Sequence, residues 1–165
     1  KDVYEKATTG NLVITKTVDG DNITESEFEG ALTFTVQNED GKYLDKDGNL
    51  SDDADELTLK EGGFVKGEDG KYTKTFKDVA PGKYTVTETN SDVDGYDLVT
   101  DQSTTGGEGT VEAGKAATVE LKDVYEAKTQ TAEKGILELT KTIKGDVTEE
   151  EAEGALKFEV KTKDD

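Results

Sequence analysis

Residues 11–18 read NLVITKTV, and the apolar and polar side chains of this stretch alternate as they do in a half-buried β-strand. Successive side chains of a strand point to opposite faces of the sheet, so one face carries three aliphatic groups and one amine. That face is made by Leu12, Ile14, Lys16 and Val18. The stretch therefore predicts a strand that turns a lysine towards the core.

Two later stretches place a carboxyl group on an apolar face in the same way. In residues 83–89 (KYTVTET), the carboxyl group of Glu88 has the same parity as an aromatic ring and a valine. In residues 116–125 (AATVELKDVY), that of Asp123 has the same parity as a valine, a leucine and a tyrosine. We therefore expect one amine and two carboxyl groups, those of Lys16, Glu88 and Asp123, to enter a single core.

An isolated charge buried in a core costs several kcal/mol or more, so three ionisable groups in one place need an explanation. Loss of solvation favours the uncharged forms of amines and carboxylic acids, and these forms react with each other. One hypothesis is that the Lys16 amine attacks the Asp123 carboxyl group while Glu88 transfers protons, leaving an amide across the core. The alternative is a buried salt-bridged triad without covalent chemistry, and the alternation alone leaves both open.

Residues 11–126 resemble the collagen-adhesin B-type (Cna B-like) repeats and the related isopeptide-containing pilin modules of Gram-positive surface proteins. The resemblance is carried by three stretches in order: residues 12–20 (LVITKTVDG), 81–96 (PGKYTVTETNSDVDGY) and 119–125 (VELKDVY). It implies an all-β fold, an antiparallel two-sheet sandwich of the Ig-like or prealbumin-like kind. It also implies a secreted protein held at the cell surface or cell wall of a Gram-positive bacterium.

In that family, a first-strand lysine is joined to an Asn or Asp of the last strand, and a glutamate assists the reaction. By resemblance, Lys16 and Asp123 are the cross-linked residues and Glu88 is the assisting residue. An aspartate acceptor implies that water, rather than ammonia, is released.

The composition excludes most enzyme chemistry. The chain has no Cys, His, Met or Trp, and all 20 of its basic residues are lysines, so thiol nucleophiles, serine-histidine pairs and Cys or His zinc sites are impossible. A net charge of −19 disfavours nucleic acid and anionic membranes as partners, because both are bound through cationic groups. We therefore predict no enzyme, no cofactor and no metal. With 31% hydrophobic residues the core is lean, and a covalent link would stabilise it where no disulfide can form.

Internal repeats indicate domains in tandem. The motif KDVYE at residues 1–5 recurs at 122–126, and residues 12–20 recur at 137–145 (LELTKTIKG), with Lys141 at the place of Lys16. The two lysines are 125 positions apart (141 − 16), which suits whole domains better than solenoid units. The predicted organisation is the last strand of a preceding repeat and a linker at 1–9, a complete sandwich at 10–126, a linker at 127–134, and the first strands of a following, truncated repeat at 135–165. Asp2 and Lys141 would be the unpaired cross-link residues of the neighbouring repeats.

Within the complete domain, the alternation and the turn residues predict seven strands, near residues 11–18, 31–37, 56–60, 71–76, 83–89, 96–100 and 116–125. Asp-Gly pairs ending at Gly20, Gly41, Gly48, Gly70 and Gly95 are typical of tight turns, because glycine tolerates positive φ. Two Glu-rich stretches, residues 24–28 and 148–152, predict a helical turn in the same loop of successive repeats.

One acidic stretch has the ligand spacing of a calcium-binding loop. Oxygen-bearing residues occupy its ligand positions one, three, five, seven, nine and twelve: Asp45, Asp47, Asn49, Ser51, Asp53 and Glu56. The glycine needed at position six is replaced by Leu50, and we favour a solvated acidic hairpin.

Two functions remain in contention. The first is a structural stalk or fibre repeat, stabilised by the Lys-Asp amide and partnered by neighbouring repeats of the same polypeptide. The second is an adhesin module that binds an unknown host or surface ligand through its loops, with or without calcium, and whose buried triad is non-covalent. Repetition and the scarcity of aromatic residues, 7% of the chain, favour the first.

Overall fold

The computed structural model describes residues 8–129 and 137–161, which belong to two units divided after Thr129. Within residues 8–129, the first unit contains the short helix α1 (Glu25–Phe28) and eleven strands. The strands are β1 (Gly10–Gly20), β2 (Thr33–Asn38), β3 (Tyr43–Leu44), β4 (Leu50–Ser51), β5 (Leu57–Thr58), β6 (Val65–Lys66), β7 (Tyr72–Val79), β8 (Gly82–Asn90), β9 (Tyr96–Leu98), β10 (Gly106–Val111) and β11 (Ala116–Ala127). No helix in the described ranges is long and apolar enough to cross a membrane.

The strands form two sheets that enclose one core, which confirms the predicted β-sandwich. One sheet has the order β6-β7-β1-β11-β9, and the other has the order β10-β8-β2-β3-β4 with β5 also paired to β2. The paired strands are antiparallel except β1 and β11, which run parallel. A parallel pair cannot be joined by a hairpin, and these two are the first and last strands of the domain. The core between the sheets includes Phe34, Phe76, Tyr84 and Tyr125, all almost completely buried.

The structure adds four strands to the seven that the sequence indicated: the two-residue strands β3, β4 and β6, and the six-residue strand β10. The longest of the four is β10. Its sequence, GGEGTV, is rich in glycine, which has low strand propensity and hides the strand from pattern analysis. Packing explains the glycines: a Cβ at Gly107 would lie 2.9 Å from Val119 Cγ1, and one at Gly109 would lie 3.0 Å from Val119 Cγ2. Side chains on this face of β10 would prevent the strand from packing so closely against β11.

Four of the five Asp-Gly pairs form turns with positive φ at glycine, as predicted: Gly41, Gly48, Gly70 and Gly95. Gly20 is the exception, since it is the last residue of β1 and pairs with Tyr125. A Cβ at Gly20 would lie 2.8 Å from the Tyr125 carbonyl oxygen, so close approach between strands explains this glycine.

The second unit has one element within residues 137–161, the helix α2 (Glu149–Ala155). Thr148 and Glu151 cap it reciprocally, as Thr24 and Glu27 cap α1, so both predicted helical turns are confirmed. The strands predicted for this part of the chain are not formed within these residues. A strand requires a partner strand for its backbone groups, and none is formed within residues 137–161.

Candidate functional site

Three strands bring the predicted triad together at the centre of the core. Lys16 lies on β1, Asp123 on β11, and Glu88 on β8 of the facing sheet. Lys16 Nζ is 2.8 Å from Glu88 Oε2, to which it donates a hydrogen bond, and 2.6 Å from Asp123 Oδ1. All three side chains are 0% exposed, so the predicted inward orientation is confirmed.

The register of β1 against β11 makes the contact possible. Lys16 is paired with Leu121, and Asp123 is paired with Val18, so the two site residues are offset by two positions along parallel strands. An even offset keeps both side chains on the same face of the sheet. A lysine side chain is long enough to reach the diagonal neighbour, whereas a one-residue slip would turn Asp123 to the outside.

Two carboxyl oxygens of the triad are buried without a hydrogen-bond partner: Glu88 Oε1 and Asp123 Oδ1. The contact from Lys16 Nζ to Asp123 Oδ1 is short but lacks hydrogen-bond geometry. Burial raises the pKa of Glu88 to about 8, the nearby Lys16 charge lowers it in part, and the Asp123 charge raises it further. A proton held by Glu88 would satisfy an orphaned oxygen and leave the triad neutral, with one ammonium and one carboxylate.

Two aromatic residues complete the walls of the site. The Phe34 ring lies 5.4 Å from Lys16 Nζ, in reach of a cation–π contact. Tyr125 Oη lies 3.2 Å from Asp123 Oδ2 and 2.7 Å from the Ser91 carbonyl oxygen. The sequence placed Tyr125 on the inward face but indicated no role for its hydroxyl, because the contact with Ser91 depends on a separate loop.

A second buried lysine was missed by the sequence analysis. Lys74 on β7 has the parity of Tyr72 and Phe76 and is only 7% exposed. Its Nζ donates to the Lys46 carbonyl oxygen at 2.5 Å, and burial lowers its pKa. Within the described ranges it forms no ion pair with a carboxylate, so Lys74 has the burial of Lys16 without an acceptor for amide formation.

Two further residues, Asp2 and Lys141, were predicted to be the cross-link residues of neighbouring repeats. Asp2 lies outside the described residues. Lys141 is exposed and forms no ion pair with the residues described in 137–161. The residues that repeat Leu12 and Phe34, which are 0% exposed, are Leu137 and Phe158, and they are 73% and 57% exposed. The division into repeats and the cross-link roles of Asp2 and Lys141 stay predictions.

The acidic stretch of residues 45–56 contains a turn whose own residues donate hydrogen bonds to the Asp45 carboxylate. Asp45 Oδ1 accepts hydrogen bonds from the backbone N–H groups of Asp47 and Asn49, and Asp45 Oδ2 accepts one from the Asn49 side chain. These bonds lower the pKa of Asp45. Among the described residues, no group of three acidic side chains has the arrangement of a metal site. Asp45, which would be the first ligand of a calcium loop, instead accepts hydrogen bonds from its own turn.

Residues 12–126 match the family described as Domain of unknown function (DUF5979). No curated protein matches the chain.

Three solved structures illustrate the similarities found by structural comparison. The first is GBS52, the minor pilin of Streptococcus agalactiae (14% identity, 83% of this chain, 50% of that chain, TM-score 0.45). The second is the shaft pilin SpaA of Lactobacillus rhamnosus GG (22% identity, 79% and 50% coverage, TM-score 0.38). The third is the pilus 2b backbone protein of group B streptococcus (19% identity, 71% and 41% coverage, TM-score 0.35). This chain spans half or less of the length of each.

Proposed function

The chain belongs to the DUF5979 family, and we propose that its complete domain is a structural stalk repeat of a bacterial surface protein, locked by an amide between Lys16 and Asp123. One observation carries this proposal: a fully enclosed lysine lies 2.8 Å and 2.6 Å from two carboxyl groups on two other strands. The proposed reaction occurs once per molecule, so the domain is not a turnover enzyme.

The contacts suggest a path for each proton. The Lys16 ammonium first passes a proton to Asp123 Oδ1 across the 2.6 Å contact, which leaves a neutral amine and a neutral acid. The amine then attacks Cγ of Asp123, and Glu88 Oε2 accepts a second proton from the nitrogen through the existing hydrogen bond. Glu88 Oε1 delivers a proton to Asp123 Oδ1, and the two orphaned oxygens suit this transfer. Oδ1 then leaves as water with two protons, one received directly from Lys16 and one delivered by Glu88. Glu88 ends as it began, and the nitrogen keeps a single hydrogen in the new amide.

Burial favours the amide over its separated reactants. In water, an ammonium and a carboxylate are more stable than an amide because both ions are solvated. In the core that solvation is lost, and the penalty for two buried charges is several kcal/mol. Amide formation removes both charges and releases a water molecule.

The position of the strands supports a mechanical role. β1 and β11 are the first and last strands of the domain, and they lie side by side. An amide between them would carry force directly from one end of the domain to the other. All aromatic side chains within residues 8–129 are buried or half-buried, so this range lacks the exposed aromatic anchor typical of a ligand-binding hot spot. Neighbouring repeats are the proposed partners, and the bacterial cell wall is the proposed location.

The direct test is the intact mass of the denatured full chain. We expect a deficit of one water relative to the mass calculated from the sequence, and peptide mapping should place the link between Lys16 and Asp123. Glu88→Gln, nearly equal in shape, should give its full calculated mass because it cannot relay the proton. A parent chain at full mass would contradict the proposal and leave a non-covalent triad.

The rate of cross-linking is expected to fall as the pH rises above about 8. Burial raises the Glu88 pKa to about 8, so Glu88 holds the proton needed by the leaving oxygen below this pH and loses it above. The measurement is the fraction of chain with reduced mass at successive times after cell-free synthesis, quenched in denaturant, between pH 6 and pH 10. A rate that stays level or climbs through pH 10 would exclude Glu88 as the proton donor.

A further inference from the structure

The two oxygens of the Asp123 carboxyl group have different neighbours. Oδ1 faces Lys16 Nζ at 2.6 Å. Oδ2 lies 3.2 Å from the hydroxyl of Tyr125, which follows Asp123 by two residues and therefore shares its face of β11. Among the described residues, this hydroxyl is the only group that donates a hydrogen bond to the Asp123 side chain. The carboxyl group thus has one oxygen at the amine and one at a proton donor.

The Tyr125 hydroxyl has two acceptors for one hydrogen. Besides Oδ2, it lies 2.7 Å from the Ser91 carbonyl oxygen, and the side chain is 2% exposed. A charged oxygen is a stronger acceptor than a carbonyl. When the amine adds to Cγ, the carbonyl electron pair moves onto the oxygen that remains, and the hydroxyl can turn to it without any movement of the ring.

We propose that Tyr125 is a catalytic residue of amide formation, which stabilises the oxyanion on Asp123 Oδ2. This inference rests on the proposed cross-linking function. In this step, the C–N bond forms as the π electrons move to Oδ2. The Cγ–Oδ1 bond then breaks, and Oδ1 departs as water with one proton received directly from Lys16 and one relayed by Glu88. The electrons on Oδ2 then restore the carbonyl group, so Oδ2 becomes the amide oxygen and keeps the Tyr125 hydrogen bond.

The chemistry of the hydroxyl suits this role. Burial raises the pKa of Tyr125, and the carboxyl groups of Asp123 and Glu88 raise it further, so the hydroxyl stays protonated and remains a donor. Such a donor, held in place before the reaction and shielded from water, needs only a rotation of its O–H bond when charge appears.

The test compares Tyr125→Phe with Tyr84→Phe in the full chain. Tyr84 is a matched control because it is also 2% exposed and its hydroxyl also bonds to a backbone carbonyl, that of Ala80, but it is not hydrogen-bonded to the triad. Loss of one oxyanion donor typically slows a reaction about 100-fold or more, and we expect Tyr125→Phe to slow amide formation at least about tenfold. Tyr84→Phe should react at the parental rate. The measurement is the loss of one water over time after cell-free synthesis.

Two further measurements separate chemistry from folding. In a Glu88→Gln background, which cannot react, both tyrosine variants should fold at equal rates. If Tyr125→Phe folds poorly there, a crystal structure of the cross-linked parent decides: the amide oxygen should lie within hydrogen-bonding distance of Tyr125 Oη, and an amide oxygen turned elsewhere overturns the inference. If the parent and Tyr125→Phe lose water at the same rate, this inference is also overturned, while the cross-linking function stands. A parent that never loses water overturns the function itself.

Discussion

Lys16→Ala is expected to lower the midpoint temperature of thermal unfolding by about 15 °C or more. The proposed amide closes a loop of 107 residues (123 − 16). A cross-link over that span removes about 4 to 5 kcal/mol of unfolded-state entropy, and its loss should reduce the free energy of unfolding by that amount. The substitution also leaves the carboxyl groups of Glu88 and Asp123 buried without their cation, which adds to the loss. Calorimetry of the full chain, alongside its intact mass, measures both effects.

Two variants make this experiment specific. Lys74→Ala removes another buried lysine from β7, the strand next to β1, and should keep the one-water deficit with a much smaller drop in melting temperature. Glu88→Gln should fold and keep the Lys16 side chain, yet melt well below the parent because the loop is open. If Lys16→Ala melted like the parent, or Lys74→Ala also lost the mass deficit, a Lys16–Asp123 amide could not be the source of stability.

Under force applied to the two ends of the domain, the parent chain should extend far less than Lys16→Ala. β1 and β11 are parallel neighbours, so tension enters at the start of β1 and leaves at the end of β11. An amide between Lys16 and Asp123 places the 106 residues from 17 to 122 (122 − 17 + 1) outside the force path. At roughly 3.3–3.6 Å per residue, these residues represent about 350–380 Å of hidden length.

Single-molecule stretching of the full chain between attachment points at its two ends measures this difference. Lys16→Ala should release the hidden length in one step as the sandwich unfolds, whereas the parent should not release it at any force below that which breaks covalent bonds. Lys74→Ala should behave as the parent does. A parental trace with the full release would show that only the hydrogen bonds between β1 and β11 resist the load.

Much of the site could be predicted because strand parity is a local property. Lys16, Glu88 and Asp123 each have the same parity as aliphatic or aromatic residues of their own strand, and the pleat of a strand assigns such residues to a face whatever lies opposite. Lys74 follows the same rule between Tyr72 and Phe76, so strand parity is enough to assign it to the inward face as well. Strand parity could not predict β10, because its glycines are explained by close packing against Val119 of another strand.

The sequence by itself determined which side chains enter the core, where most turns fall and which segments repeat, because each of these depends on residues close together in the chain. Only the tertiary structure decided that β1 runs parallel to β11 with Lys16 two positions from the partner of Asp123, and that Glu88 meets them from the facing sheet. It also decided that the Tyr125 hydroxyl bonds to one particular oxygen of Asp123. The contacts within the triad join residues that are 35 to 107 positions apart in the chain. They depend on the packing free energy of the whole core, which no local alternation encodes.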